Sequence, residues 1–199
     1  MSRRSLLRRP GVWLLLSVLA VAGAVGLALF QPWKLVVDET VNEAAPPGLA
    51  ELAVGSDPGS AAPGTAGAAA GTPARSSPPP ATRLLATGEF VSHEHRTTGS
   101  VRVVGLPDGR RVLRIEDLDT SNGPDLRVWI TDAPVKPGRD GWFVFDDGEY
   151  VELGRLKGNK GSQNYDLPPS VDLRQLDSLS IWCDRFNVSF GAVQLRSVG

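Results

Sequence analysis

Cysteine is almost absent: Cys183 is the sole one in 199 residues. A single thiol excludes an intrachain disulfide, and with it any Cys-x-x-Cys-His haem attachment. An excess of either charge is missing too. Lys and Arg number 21 against 22 Asp and Glu, and from Arg83 onward 15 against 17. Such balance removes nucleic acid and anionic membrane surfaces as natural partners. No Ser-His-Asp ordering, paired-carboxylate cleft, dinucleotide fingerprint or phosphate-loop spacing stands out, so hydrolase and nucleotide readings have no footing. Beyond the N-terminal run, no stretch keeps a helical hydrophobic period.

A long uncharged run is present at the N-terminus. Arg3, Arg4, Arg8 and Arg9 precede it, and from Val12 to Phe30 every residue is apolar, Gly or Ser. At about 1.5 Å per residue this run just crosses a hydrocarbon core of roughly 30 Å. Residues 1–10 then form a cytoplasmic basic tail, 11–31 a transmembrane signal-anchor, and everything downstream lies outside. Two rivals stay open: a cleaved signal ending near Ala20-Val21-Ala22, and twin-arginine export. Residues 32–43 are a membrane-proximal segment opened by Pro32, Trp33 and Lys34.

Residues 44–82 are dominated by Ala, Gly, Pro, Ser and Thr. So few large apolar side chains cannot offset the entropy of ordering, which predicts a disordered spacer between membrane and domain.

Residues 83–199 suit one all-β domain, a β-sandwich of about 8–9 short antiparallel strands. Val101 to Gly105 turns at Pro107-Asp108-Gly109 into Arg111 to Ile115. Leu126 to Ile130 follows a Gly-Pro turn, and Trp142 to Phe145 meets Tyr150 to Leu153 through Asp146-Asp147-Gly148. Asp-Gly between apolar runs predicts hairpins. Near the C-terminus, Leu179, Ile181 and Cys183 share one strand face and Ser180 and Trp182 the other. In the return strand Phe186, Val188 and Phe190 alternate, and the phase shifts at Gly191, as a bulge would produce.

Cys183 is therefore either a buried packing residue, a redox thiol or ligand, or an intermolecular disulfide partner. Arg185 would stabilise a thiolate if the side chains meet. His93 and His95 stand two apart and with Cys183 could form a His/Cys metal or haem site, or else lie in an exposed loop. Glu116, Asp117, Asp119, Asn122 and Asp125 make an oxygen-rich loop without EF-hand spacing, so calcium is the weaker reading of a turn. Lys157-Gly158-Asn159-Lys160-Gly161 reads as a hairpin turn.

In order and spacing, these pieces resemble the electron-transfer DM-thirteen domain of bacterial surface proteins and Skeletor-type animal proteins. The resemblance runs from Leu85 to Leu195 through Gly88-Glu89-Phe90 with His93, Gly123-Pro124-Asp125-Leu126, Leu153 to Tyr165, Leu167-Pro168, and Trp182-Cys183 with Phe186, Val188, Phe190 and Gly191. It implies a β-sandwich and an extracytoplasmic redox role around the cysteine, as a bare thiol or as ligand to a group such as haem. The expectation is a membrane-anchored electron-transfer or thiol-redox domain centred on Cys183, with Trp182, Phe186, Arg185 and His93 around it. Its partners would be membrane lipid, through the helix, and another exported redox or cell-envelope protein. The alternative is a non-catalytic surface binding or adhesion module with Cys183 in the core.

Overall fold

The structure, a computed structural model, describes residues 10–54 and 81–198. The basic tail over residues 1–9 and most of the expected spacer, residues 55–80, lie outside the described residues. Helix α1 (Pro10–Phe30) is long and apolar enough to cross a membrane, and none of its side chains is buried by the rest of the chain. A 3-10 turn over Pro32–Val36 follows it.

Beyond the helix, strands dominate. They are β1 (Thr40–Asn42), β2 (Arg83–Ser92), β3 (Thr98–Gly105), β4 (Arg111–Asp119), β5 (Leu126–Thr131), β6 (Tyr150–Arg155), β7 (Lys160–Leu167), β8 (Ser178–Cys183), β9 (Val188–Gln194) and β10 (Arg196–Ser197), with a short helix α2 (Leu49–Val54) after β1. They form one sheet in the order β1-β7-β4-β3-β2-β9-β8-β5-β6, with β10 beside β2. All pairings are antiparallel except β1 with β7. The sheet curls so that its halves face each other as a sandwich. Gly88 on β2 sits where that curl is tight: a Cβ there would lie 2.5 Å from the Gln194 carbonyl oxygen.

Alternation along the strands supplies the core. Val101, Val103, Leu113 and Ile115 from one half meet Val128, Ile130, Leu179 and Ile181 from the other. Fully burying each such side chain stabilises the fold by about 1.5–3 kcal/mol. The expected bulge is present: register shifts between Ile181↔Gly191 and Trp182↔Ser189. A Cβ on Gly191 would approach the Thr97 Cβ to 2.6 Å, so only glycine fits there.

Two expectations need correction. Trp142 to Phe145 is not a strand, and Asp146-Asp147-Gly148 makes no hairpin; residues 132–149 are instead one long loop between β5 and β6. The loop folds over the outer face of the β5–β8–β9 half, where Ala133, Phe145, Trp129, Trp182 and Ala192 form a second cluster. Phe145 faces that surface with Val144 beside it, and this apolar run reads as a buried strand. Nor does Lys157-Gly158-Asn159-Lys160-Gly161 close a hairpin. It passes the chain from β6 on one half to β7 on the other, as their lack of mutual pairing requires.

That crossover has a further occupant. A Cβ on Gly158 would stand 2.5 Å from the Glu39 carbonyl oxygen, and one on Gly161 (φ +94°) 2.1 Å from that of Val41. The glycines therefore admit β1. Asn159 fastens it: its Oδ1 accepts from the Glu39 N–H at 2.7 Å, and its Nδ2 donates to Asp38 and to the Thr120 carbonyl. Lys160 pairs with Asp38 at 2.8 Å and Lys157 with Glu43 at 2.7 Å. Leu49 then packs against Val104 and Val112, and the Thr82 hydroxyl donates to the Pro47 carbonyl at 2.7 Å.

Candidate functional site

Cys183 ends β8, opposite Leu126 on β5 and Val188 on β9. Its side chain joins the inner core and is 0% exposed. Burial pushes the thiol pKa above its ordinary value, although the backbone N–H groups of Phe186, Arg185 and Asp125 pull it part of the way back. At neutral pH this is a protonated, sealed thiol with little nucleophilic character. The Phe186 N–H donates to the Cys183 carbonyl at 3.2 Å and closes the turn, with Asn187 at φ 48°.

The residues expected around the thiol divide between different surroundings. Arg185 and Phe186 are exposed on the turn while Cys183 points inward. Trp182 faces the outer cluster, stacked on Trp129 at 5.1 Å and edge-on to Phe145 at 6.4 Å. Trp129 in turn stacks on Tyr150 at 4.1 Å, so an aromatic column runs across that face.

His93 also belongs to the outer face. Its Nε2–H donates to the Lys136 carbonyl at 3.0 Å, and its Nδ1 accepts from the Ser189 hydroxyl at 2.8 Å, which itself accepts from Ser180 at 2.9 Å. Burial lowers its pKa and the Lys136 bond partly opposes this, so the ring is neutral and fully engaged. It pins the 132–149 loop to the sheet; a Cβ on Gly141 would collide with both the Lys136 carbonyl and the imidazole.

A haem or metal shared by Cys183 and His93 does not fit this arrangement. The thiol lies between the sandwich halves, and both imidazole nitrogens are committed on the opposite face. Among the described residues no three His, Cys, Asp or Glu side chains converge as metal ligands. The oxygen-rich loop is likewise occupied by cations of the protein itself. Glu116 pairs with Arg102 and Arg114, and Asp125 with Arg127 and Arg155.

What the fold does assemble beside the Cys183 turn is an open apolar cleft of about 460 Å³. Trp142 and Phe143 from the long loop line it, with Phe186 from the turn, Val188 and Phe190 from β9, and Pro124. Glu94 and His95 supply its polar rim; they pair with each other, and His95 packs on Phe190 at 4.0 Å. Phe143 and Phe186 are 49% and 48% exposed. The Trp142 indole Nε1–H is buried without a hydrogen-bond partner. A concave, mostly apolar site with a few polar groups is the usual form of a small-molecule site. This cleft suits a flat apolar ligand.

Of the cleft's residues, only Phe186 and His95 stand out in the sequence as site candidates. Trp142, Phe143 and Phe190 were legible merely as aromatics, because nothing local tells that the long loop and the β8–β9 turn meet.

No curated protein and no solved structure matches the chain. A family model described as Electron transfer DM13 matches residues 89–195. That span takes in every strand from β3 to β9, the Cys183 turn and the aromatic cleft, and it covers more than half of the sequence: the chain belongs to the Electron transfer DM13 family.

Proposed function

We propose that this chain is a membrane-anchored extracytoplasmic electron-transfer module whose exchange site is the aromatic cleft at the Cys183 turn. In this reading a redox-active ligand sits in the cleft, and Cys183 packs beneath it. Electrons pass onward to another exported redox or cell-envelope protein. The observation that carries the reading is the division of the C-terminal hairpin: the thiol is sealed inward while Phe186 and Phe190 line an open cleft. Membership in an electron-transfer family and the apolar helix before the domain support it.

Full-length protein purified from membranes of its own host tests the proposal. The expected result is a redox-titratable chromophore that survives Cys183→Ala and is lost in Phe186→Ser. A chromophore lost in Cys183→Ala but kept in Phe186→Ser would restore the thiol or its ligation as the redox centre. Native thiol that resists alkylation until the chain is unfolded agrees with the proposal. A second reading, a non-catalytic binding or adhesion module, is favoured by the same burial of Cys183. It takes over if no redox-active group accompanies the protein.

A further inference from the structure

We propose that the bilayer itself presents the ligand of this cleft: a membrane-soluble quinone-type molecule whose flat carbonyl-bearing head enters between Phe143 and Phe186. The inference deepens the electron-transfer reading and rests on it. The first observation is where the domain is fastened. The expected spacer, residues 44–82, begins and ends on the domain, since β1 pairs with β7, Leu49 is buried, and Pro47 is hydrogen-bonded to Thr82. Its described ends both lie on the domain, so it does not set the distance from the membrane. That distance is set by residues 31–39, nine in all, between the end of α1 and the start of β1. Fully extended they would span at most ~30 Å, and the 3-10 turn at Pro32–Val36 shortens them further.

The second observation is which face looks along that short connection. Phe30, the last residue of α1, stacks on Phe186 at 6.1 Å. The cleft mouth thus opens beside the end of the apolar helix, with Phe143 and Phe186 exposed at it; Trp33 is exposed just beyond the helix end. Exposed aromatics at a helix end are the side chains that settle at a bilayer interface. The third observation is chemical. Trp142, Phe143, Phe186 and Phe190 wall the cleft with aromatic faces, and Glu94 and His95 stand at its rim. A flat quinone ring packs against such faces, with its carbonyls directed to the polar rim.

The test uses the full chain in phosphatidylcholine vesicles carrying a benzoquinone with a decyl tail, with tryptophan fluorescence quenching as the readout. Saturable quenching is expected, and Phe143→Ser, which removes one aromatic wall, should weaken binding about tenfold. Inserting about twenty Gly/Ser residues between Val37 and Asp38 should lower capture from vesicles about tenfold. The same insertion should leave binding of a tail-less benzoquinone in detergent unchanged, and deleting residues 56–79 should alter neither. Equal capture with and without the insertion would overturn membrane presentation. Absence of saturable quenching by either quinone would overturn the ligand class. If the native protein still carried a chromophore that Phe186→Ser removes, the electron-transfer reading would survive that result.

Discussion

Cys183 and His93 mark the two faces of one half of the sandwich, and each carries a measurable consequence. Cys183→Ser places a hydroxyl among Leu126, Val188 and the inner core, where its burial costs up to about 3 kcal/mol, less what the nearby N–H groups of Phe186, Arg185 and Asp125 return. A correspondingly lower urea midpoint with unchanged slope should follow. His93 is held neutral in the folded state, whereas in the unfolded chain its pKa returns to about 6.5. The unfolded chain therefore binds the proton first. The stability this group contributes is full above about pH 6.5, and is lost as pH falls below it. Asp38 is held low by the Lys160 bond; Glu43, despite burial, by Lys157 and the Asn164 N–H. These carboxylates withdraw stability only below about pH 4.5. Urea melts between pH 7 and 5 should show a decline that His93→Gln flattens; a decline of equal size in the variant would show that His93 does not cause it.

At the scale of elements, the 157–161 crossover and β1 are one device. The glycines at 158 and 161 are spaced for the close passage of a strand, and Asn159 holds the entry to that strand with two hydrogen bonds, to Glu39 and Asp38, while a third ties it to Thr120. Gly161→Ala brings a Cβ against the Val41 carbonyl and strains a residue at φ +94°. Detachment of β1 from an otherwise folded sandwich is expected, seen as loss of amide exchange protection at Thr40–Asn42 while β8 and β9 remain protected. Uniform loss of protection would mean that β1 is integral to global folding. On the far side of the sheet, Trp182 joins β8 to the long loop through Trp129 and Phe145. Trp182→Ala should cost about 3–5 kcal/mol in denaturant melts, as large aromatic truncations in packed clusters do.

For the whole molecule, the domain is larger than its repeat of strands. A protein beginning at residue 38 should be more stable than one beginning at residue 83 by at least about 2 kcal/mol, since the shorter form exposes the ground that Leu49 and β1 cover. Equal melting temperatures would contradict this. The strands and the apolar helix were legible in the sequence because alternation and length are local properties. So was the inward phase of Cys183, which follows from Leu179 and Ile181 four and two residues before it. The bulge at Gly191 could be read the same way. Strand identity failed where packing imitated it, at Trp142 to Phe145, whose apolar side chains serve a loop lying on a sheet. The sequence by itself thus determined which segments extend and which way their side chains face. Tertiary structure alone decided which distant segments meet: β1 against Gly158 and Gly161, and the 132–149 loop against the Cys183 turn. Those meetings depend on contacts between residues far apart in the chain, which no local period records. They put the aromatic cleft beside the Cys183 turn.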